Sequence, residues 1–140
     1  MEWMLMPLRR YAEFSGRSRR KEYWMWLLFV VIVAVITTWL DIALGLGGSA
    51  AGTAQGGSAS FNVNFGLITI LFMLAILVPN LAVGIRRLHD LDKSGWMILI
   101  GLIPFLGGLY LLFLFTQPGT VGPNRFGADP KGPDDAKVFA

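Results

Sequence analysis

Two long apolar runs without a charged residue flank a short charged segment, and this pattern constrains the fold more than any other feature. Residues 65–84 and 96–116 contain no Asp, Glu, Lys or Arg, whereas residues 85–95 hold charges of both signs and the single histidine. A helix of about 20 residues is about 30 Å long, which matches the hydrocarbon thickness of a bilayer. The pattern predicts two spanning helices joined by a basic cytoplasmic loop, residues 85–95, at one membrane face.

Residues 24–46 form a third apolar run, which is too long for the core of a signal peptide. Of the whole chain, 54% is apolar and 15% is charged. A soluble domain of this size could not bury so much apolar surface. We therefore predict an all-α integral membrane protein with three transmembrane helices, at residues 24–46, 65–84 and 96–116, and an N-terminal interfacial amphipathic helix.

The segments outside these runs have distinct compositions. Residues 1–22 place aromatic and basic residues at roughly helical spacing, which predicts a helix in the headgroup layer; the alternative is a partly ordered tail packed on the protein. Residues 47–64 are rich in Gly and Ser and are predicted to form a flexible external linker. Residues 117–140 carry repeated Pro and Gly turn signals, which predict an irregular tail.

The third run admits two interpretations because Pro104 and Gly107-Gly108 interrupt it. We prefer a single kinked pass, since residues 96–116 are long enough for one crossing at about 32 Å. The competing interpretation is a re-entrant hairpin folded at Pro104–Gly108. Its two arms would be too short to cross, and the tail would return to the side from which the hairpin began.

The basic residues set the expected orientation. Of the 12 Lys and Arg residues, six lie in residues 1–22, three in 85–95, three in the tail and none in the linker. An excess of Lys and Arg marks the cytoplasmic side. Three spans then place the N-terminus in the cytoplasm and the C-terminus outside.

The charged residues beside the membrane border form the predicted binding site. Each basic residue near an anionic leaflet contributes on the order of 1 kcal/mol, so we expect contact with anionic phospholipids or with the acidic surface of a partner. Nucleic acid is disfavoured, because the leaflet is the nearer polyanion. The predicted contact residues are Arg17, Arg19, Arg20, Lys21, Arg86 and Arg87, with Glu22 and Asp90 as the acids that brace them.

Two polar residues inside the apolar runs are candidates for a site within the membrane. Asp41 lies near the far end of the first run, where it is either an ion or proton site or a carboxylate wetted by outer headgroups; we favour the second. Asn80 follows Pro79, and we expect it to help satisfy the backbone groups that the proline frees.

Catalytic and metal chemistry have little support in the sequence. The chain has no cysteine, and His89-Asp90 is the one conceivable acid–base pair. Adjacent side chains on a helix diverge, and one His with scattered acids makes a poor metal site. We predict no catalytic residue, no metal and no cofactor.

Three motifs resemble those of the YhaH-like bacterial inner-membrane proteins, the "domain of unknown function 805" family. They are the opening run at 14–24, the central run Arg86 to Asp90 with Lys93 to Trp96, and the closing run from Pro118-Gly119 through 122–130. They occur in the family's order and cover almost the whole chain. The resemblance implies an integral protein of the bacterial inner membrane, and it implies no established activity.

The leading functional hypothesis is a non-enzymatic structural, regulatory or scaffold component of the bacterial inner membrane. The alternative is a transporter or channel subunit; with so few ionisable groups in its spans it would need an oligomer, and Asp41 would be its candidate site. A homo-oligomer or a membrane-protein partner is compatible with either. A membrane enzyme that uses His89-Asp90 is a third hypothesis.

Overall fold

The structure, a computed structural model, describes residues 2–55 and 58–132. Its elements in chain order are α1 (Glu2–Arg9), α2 (Arg20–Ala43), β1 (Ser49–Gln55), β2 (Ser58–Asn64), α3 (Leu67–Asp90), a 3-10 helix (Gly95–Leu102) and α4 (Leu106–Thr116). The chain divides into two compact units, one of residues 1–27 and 78–140 and one of residues 28–77.

Helices α2 and α3 are each 24 residues long, about 36 Å, and are apolar enough to cross a membrane. Their mean hydropathy over the most apolar stretch is 2.3 and 2.4. In a bilayer the helix satisfies every backbone group within the segment, which offsets the weaker helix propensity of the β-branched residues in α2. Two of the three expected spans therefore have matching helices, although their ends differ from the predicted 24–46 and 65–84.

Helix α3 continues through the first six residues of the charged segment, so the prediction that residues 85–95 form a loop is wrong for 85–90. Arg and Leu are good helix formers, and cations are favourable near a helix C-terminus. The helix ends in a Schellman motif, in which the Lys93 N–H donates to the Leu88 carbonyl at 2.9 Å and the Asp92 N–H to the His89 carbonyl at 3.0 Å. Asp92 has the positive φ of 54° that this motif requires.

The segment expected to be a flexible linker forms an antiparallel β-hairpin. Strands β1 and β2 pair from Ser49 with Asn64 to Gln55 with Ser58. Strand β2 does carry a strand signal, because Ala59, Phe61 and Val63 alternate with polar residues. The Gly- and Ser-rich composition of the whole segment nevertheless favoured a linker. The pairing is made by backbone hydrogen bonds, which do not require large side chains. An all-α description is thus incomplete, although the expected spans are helical.

The third apolar run folds back on itself, as the competing hairpin interpretation expects and unlike the preferred single kinked pass. A Cβ on Gly107 would lie 1.8 Å from the Ile100 carbonyl oxygen, and one on Gly101 would lie 3.0 Å from Leu111. Nearer the open end, Ile98 and Phe115 both approach Gly84. The 3-10 helix and α4 are therefore antiparallel arms, and we call them the apolar hairpin. Only glycine at 107 lets their backbones come so close.

The core of the first unit lies between α3 and α4. Leu88, Leu111, Leu114 and Phe115 are buried and in mutual contact, and Tyr23 packs on Phe115 with ring centroids 4.5 Å apart. This core fixes the open end of the apolar hairpin against the last turns of α3. The chain that follows α4 therefore starts beside the charged end of α3.

Candidate functional site

The charged end of α3 forms a buried network with the N-terminal segment and the tail. Arg87 and Asp90 lie three residues apart on one face of α3 and form an ion pair. Arg17 reaches the other oxygen of the same carboxylate, with its Nε 3.0 Å from Asp90 Oδ1. Arg86 pairs with Glu22 at 3.2 Å. We call these five residues the arginine cluster.

Arg17 and Arg87 also bind the tail through its backbone carbonyls. Arg17 donates to the Thr120 carbonyl at 2.5 Å and to the Gly122 carbonyl at 2.6 Å, and Arg87 donates to the Gln117 carbonyl. A guanidinium carries five N–H donors in a fixed fork, so one arginine can hold a carboxylate and two carbonyls together. The tail is therefore fixed against the cluster along residues 117–122.

Asp90 anchors the tail as well. Its backbone carbonyl accepts hydrogen bonds from the Thr120 N–H at 2.8 Å and the Thr120 hydroxyl at 3.1 Å. Gly119 passes so close to its carboxylate that a Cβ there would lie 2.0 Å from Oδ2. The tail turn needs glycine at this position because any side chain would displace the carboxylate.

His89 takes part in the same contact, without acid–base geometry toward Asp90. Its ring stacks on Phe126 at a centroid distance of 3.9 Å and an angle of 5°, and its Nδ1 lies 3.2 Å from the Gly16 carbonyl. The Asn124 amide donates to the His89 carbonyl at 2.9 Å. The histidine therefore joins the N-terminal turn to the tail.

Asp129 closes the tail loop from within. Its carboxylate accepts from the Gly122 N–H and the Lys131 N–H, both at 2.9 Å. Burial raises the pKa of Asp129, but these two N–H donors outweigh it, and with the charge of Arg17 they hold the pKa below its usual value. Arg19 donates to the neighbouring Pro130 carbonyl at 2.5 Å.

The predicted binding residues divide into a buried and an exposed group. Arg17, Arg86 and Arg87 are buried, with Arg86 and Arg87 at 0% exposure. These three therefore do not form the exposed surface on which the predicted lipid or partner contact was based. The position of an arginine in the sequence does not show whether its side chain is exposed or folded inward onto a carboxylate. Arg19 is half-buried, and Arg20 and Lys21 are exposed.

Arg86 is the least satisfied member of the cluster. Within the described residues its Nε and Nη1 and the Ser18 hydroxyl make no hydrogen bond, although all three atoms are buried. The Ser18 N–H donates to the Arg86 carbonyl at 3.1 Å. Arg86 therefore contacts the N-terminal part of the chain twice, through its backbone carbonyl to Ser18 and through its side chain to Glu22.

In the second unit, Asp41 caps helix α3. Its carboxylate accepts from the Ile68 N–H at 2.8 Å, the Thr69 N–H at 2.9 Å and the Thr69 hydroxyl at 2.7 Å, and it is fully buried. The favoured expectation of a wetted carboxylate is therefore wrong. A helix N-terminus has free N–H groups and a partial positive charge, and Asp41 satisfies both. Gly66 allows the approach, since a Cβ there would lie 2.3 Å from Asp41 Cγ.

Asn80 has a partner in the first unit. Its side-chain oxygen accepts from the Trp26 Nε1–H at 2.6 Å, and the Trp26 side chain is buried. The oxygen thus satisfies an indole on α2, a role that the proline-centred prediction did not include.

Sequence reasoning missed the tail residues that complete the site, namely Gly119, Thr120, Asn124, Phe126 and Asp129. The signal was the closing motif, which contains four of the five; Thr120 lies between its two parts. Among residues 2–55 and 58–132, the structure has no cluster of three His, Cys, Asp or Glu side chains able to hold a metal ion.

Comparison with known proteins places the chain in a family. The family model described as "Protein of unknown function (DUF805)" matches residues 11–128. The chain is 42% identical over 131 residues to "Inner membrane protein YhaI" of Escherichia coli (strain K12), covering 94% of this chain and 97% of that protein. It is 41% identical over 131 residues to "Inner membrane protein YhaH" of the same strain, covering 94% and 98%. No solved structure matches.

Proposed function

The chain belongs to the DUF805 family, and from that premise we propose that it is a non-enzymatic scaffold component of the bacterial inner membrane. In this proposal the arginine cluster fixes the N-terminal segment, the end of α3 and the tail into one rigid cytoplasmic face. The exposed bases beside the cluster then contact anionic headgroups. The observation that carries the proposal is Arg17, which is buried and joins Asp90 to the carbonyls of Thr120 and Gly122.

The contacts of the polar groups support a structural role. The oxygens of Asp90 form ion pairs with two arginines. The ring of His89 stacks on Phe126, and its Nδ1 lies within hydrogen-bond distance of the Gly16 carbonyl. Asp41 is engaged by three donors at the start of α3, which favours a structural carboxylate over the ion site of the transporter alternative. These groups hold segments together, which is the work of a scaffold.

The orientation follows from the apolar hairpin. With two crossings and a hairpin that returns, the tail and the N-terminal segment lie at the same face, and their contacts with Arg17 support this. The Lys and Arg residues of the tail then add to those of residues 1–22 and 85–95, opposite a linker with none. By the positive-inside rule this face is cytoplasmic, so we propose both termini in the cytoplasm, in place of an external C-terminus.

The lipid contact is tested with the double variant Arg20→Gln/Lys21→Gln, purified and reconstituted with spin-labelled phosphatidylglycerol or phosphatidylcholine. Each basic residue near an anionic surface contributes about 1 kcal/mol, so we expect the preference for phosphatidylglycerol to fall about fivefold or more. Arg20→Lys/Lys21→Arg, which changes the same two residues but keeps both positive charges, serves as the matched control and is expected to keep the preference. An unchanged preference in the double variant would contradict the lipid contact.

A further inference from the structure

The tip of the apolar hairpin is an irregular piece of backbone with very exposed apolar side chains. Phe105 is 90% exposed, Leu102 79% and Leu106 74%. Phe105 has φ 59° and ψ −59°, and the Leu106 N–H donates to the Pro104 carbonyl at 2.7 Å. This is a γ-turn of the strained, positive-φ form. Within the described residues the Phe105 N–H makes no hydrogen bond.

The lengths of the two arms place this tip near the middle of the bilayer. Helix α4 has 11 residues, about 16 Å, and the eight residues of the 3-10 helix also span about 16 Å. Thr116, at the open end, accepts a hydrogen bond from Arg20 at 3.1 Å, so the arms begin at the basic border of the membrane. Half of a hydrocarbon core of about 30 Å is about 15 Å.

Irregular backbone at this depth is not stable against lipid. Hydrocarbon cannot hydrogen-bond a free N–H, and non-helical segments at membrane depth occur where protein or a water-filled cavity covers them. The side chains at the tip are apolar, which excludes a water-filled cavity. The tip therefore requires a protein surface at mid-bilayer depth.

The chain itself carries a surface of that kind. One face of helix α2 carries a shallow, open apolar groove lined by Val31, Ala34, Val35, Thr38, Trp39 and Ile42. Along α2, Val31 lies about 16 Å from Arg20. The groove of a second copy therefore begins about 16 Å along its own α2 from the basic end of that helix. Small residues such as Ala34 let a neighbour approach closely in lipid.

We infer that Phe105 of one copy inserts into the α2 groove of a second copy, so that the protein self-associates in the membrane. The ring packs against the apolar side chains of the groove, and the partner's helix shields the irregular backbone of the tip from hydrocarbon. This association goes beyond the lipid contact proposed above and does not depend on it.

Cysteine cross-linking tests this directly, because the full chain has no cysteine of its own. Phe105→Cys protein is co-reconstituted in liposomes with Val35→Cys protein and oxidised with copper phenanthroline. The control replaces Val35→Cys with Ile36→Cys, which is adjacent and also exposed but lies outside the groove. We expect at least fivefold more disulfide dimer from the groove pair than from the control pair.

Equal yields from the two pairs, or no dimer from either, would overturn the inference and indicate that lipid or another protein covers the tip. Oxidation can also trap monomers that collide only rarely, so a second measurement without cross-linking is needed. Single-molecule photobleaching of the labelled protein in liposomes is expected to show two-step traces, and Phe105→Ala is expected to shift them to one step. One-step traces from the unmodified chain would contradict self-association, whatever the lipid preference of the exposed bases.

Discussion

At the scale of single residues, two carboxylates that lie 49 positions apart do the same kind of work. Asp41 binds the first N–H groups of α3. Asp90, the last residue of α3, binds two arginines with its carboxylate and the start of the tail with its carbonyl. An isolated charge in an apolar setting is costly, and it is tolerated when every oxygen has a donor. Both residues are thus explained by the donors around them.

Asp41→Asn is expected to destabilise the protein by about 1–3 kcal/mol. The new NH₂ group replaces an oxygen that accepts hydrogen bonds, so two donors would face each other at the start of α3. The measurement is thermal unfolding in detergent, followed by circular dichroism at 222 nm. Asp92→Asn is the control, since it removes an exposed carboxylate paired with Arg125 at the surface, where such pairs contribute about 0–1 kcal/mol. Equal effects of the two substitutions would show that the cap does not stabilise α3.

Arg17→Lys keeps the charge and removes the fork that joins Asp90 to two tail carbonyls. A lysine ammonium cannot reproduce this planar geometry. We expect a loss of about 1–3 kcal/mol and faster proteolytic cleavage within residues 117–132. Arg20→Lys, at an exposed arginine that donates to the Thr116 carbonyl, should leave the cleavage rate nearly unchanged. Resistance of the Arg17→Lys tail to protease would mean that other contacts hold it.

At the scale of elements, the apolar hairpin is the feature that most changes the topology. The 3-10 helix and α4 reverse direction within Ile103–Phe105, and the reversal depends on close contact at Gly107. The two glycines at 107 and 108 have different surroundings. A Cβ at 107 meets the Ile100 carbonyl at 1.8 Å, whereas a Cβ at 108 meets nothing within 4 Å.

This difference gives an internally matched pair of substitutions. Gly107→Ala is expected to force the arms apart and lower the unfolding temperature markedly, by a loss of about 2 kcal/mol or more. Gly108→Ala is expected to be neutral or to stabilise by up to about 1 kcal/mol, because alanine is the better helix former. Thermal unfolding of both variants in the same detergent provides the comparison, and a similar loss from both would argue against the close approach of the arms.

The sequence predicts the apolar elements better than their connections. Uncharged runs identify α2 and α3 because the bilayer imposes a length and a composition on a span. The same rule cannot distinguish a kinked pass from the apolar hairpin, since Pro104 and Gly107 are compatible with both. The β-hairpin was missed because the Gly- and Ser-rich composition of the segment outweighed the short alternation of Ala59, Phe61 and Val63 in β2. The inward positions of Arg17 and Arg87 depend on tail carbonyls far away in sequence, and that of Arg86 depends on Glu22.

At the scale of the whole molecule, the arginine cluster joins three motifs that are distant in the chain. The opening motif supplies Arg17, the central motif supplies Arg87 and Asp90, and the closing motif supplies the carbonyl of Gly122, beside that of Thr120 between its two parts. These contacts require the N-terminal segment and the tail to lie on one side of the membrane. A third helix that crossed completely would separate them by the full bilayer thickness.

Single-cysteine labelling therefore tests the central claim most directly. Ser15→Cys, Val121→Cys and Ser49→Cys variants, each at an exposed position, are treated in intact spheroplasts with a membrane-impermeant maleimide. We predict that Ser49→Cys is labelled at once, whereas Ser15→Cys and Val121→Cys are both labelled only after the membrane is permeabilised. Labelling of Val121→Cys in intact cells with Ser15→Cys protected would place the tail on the opposite face and contradict the account.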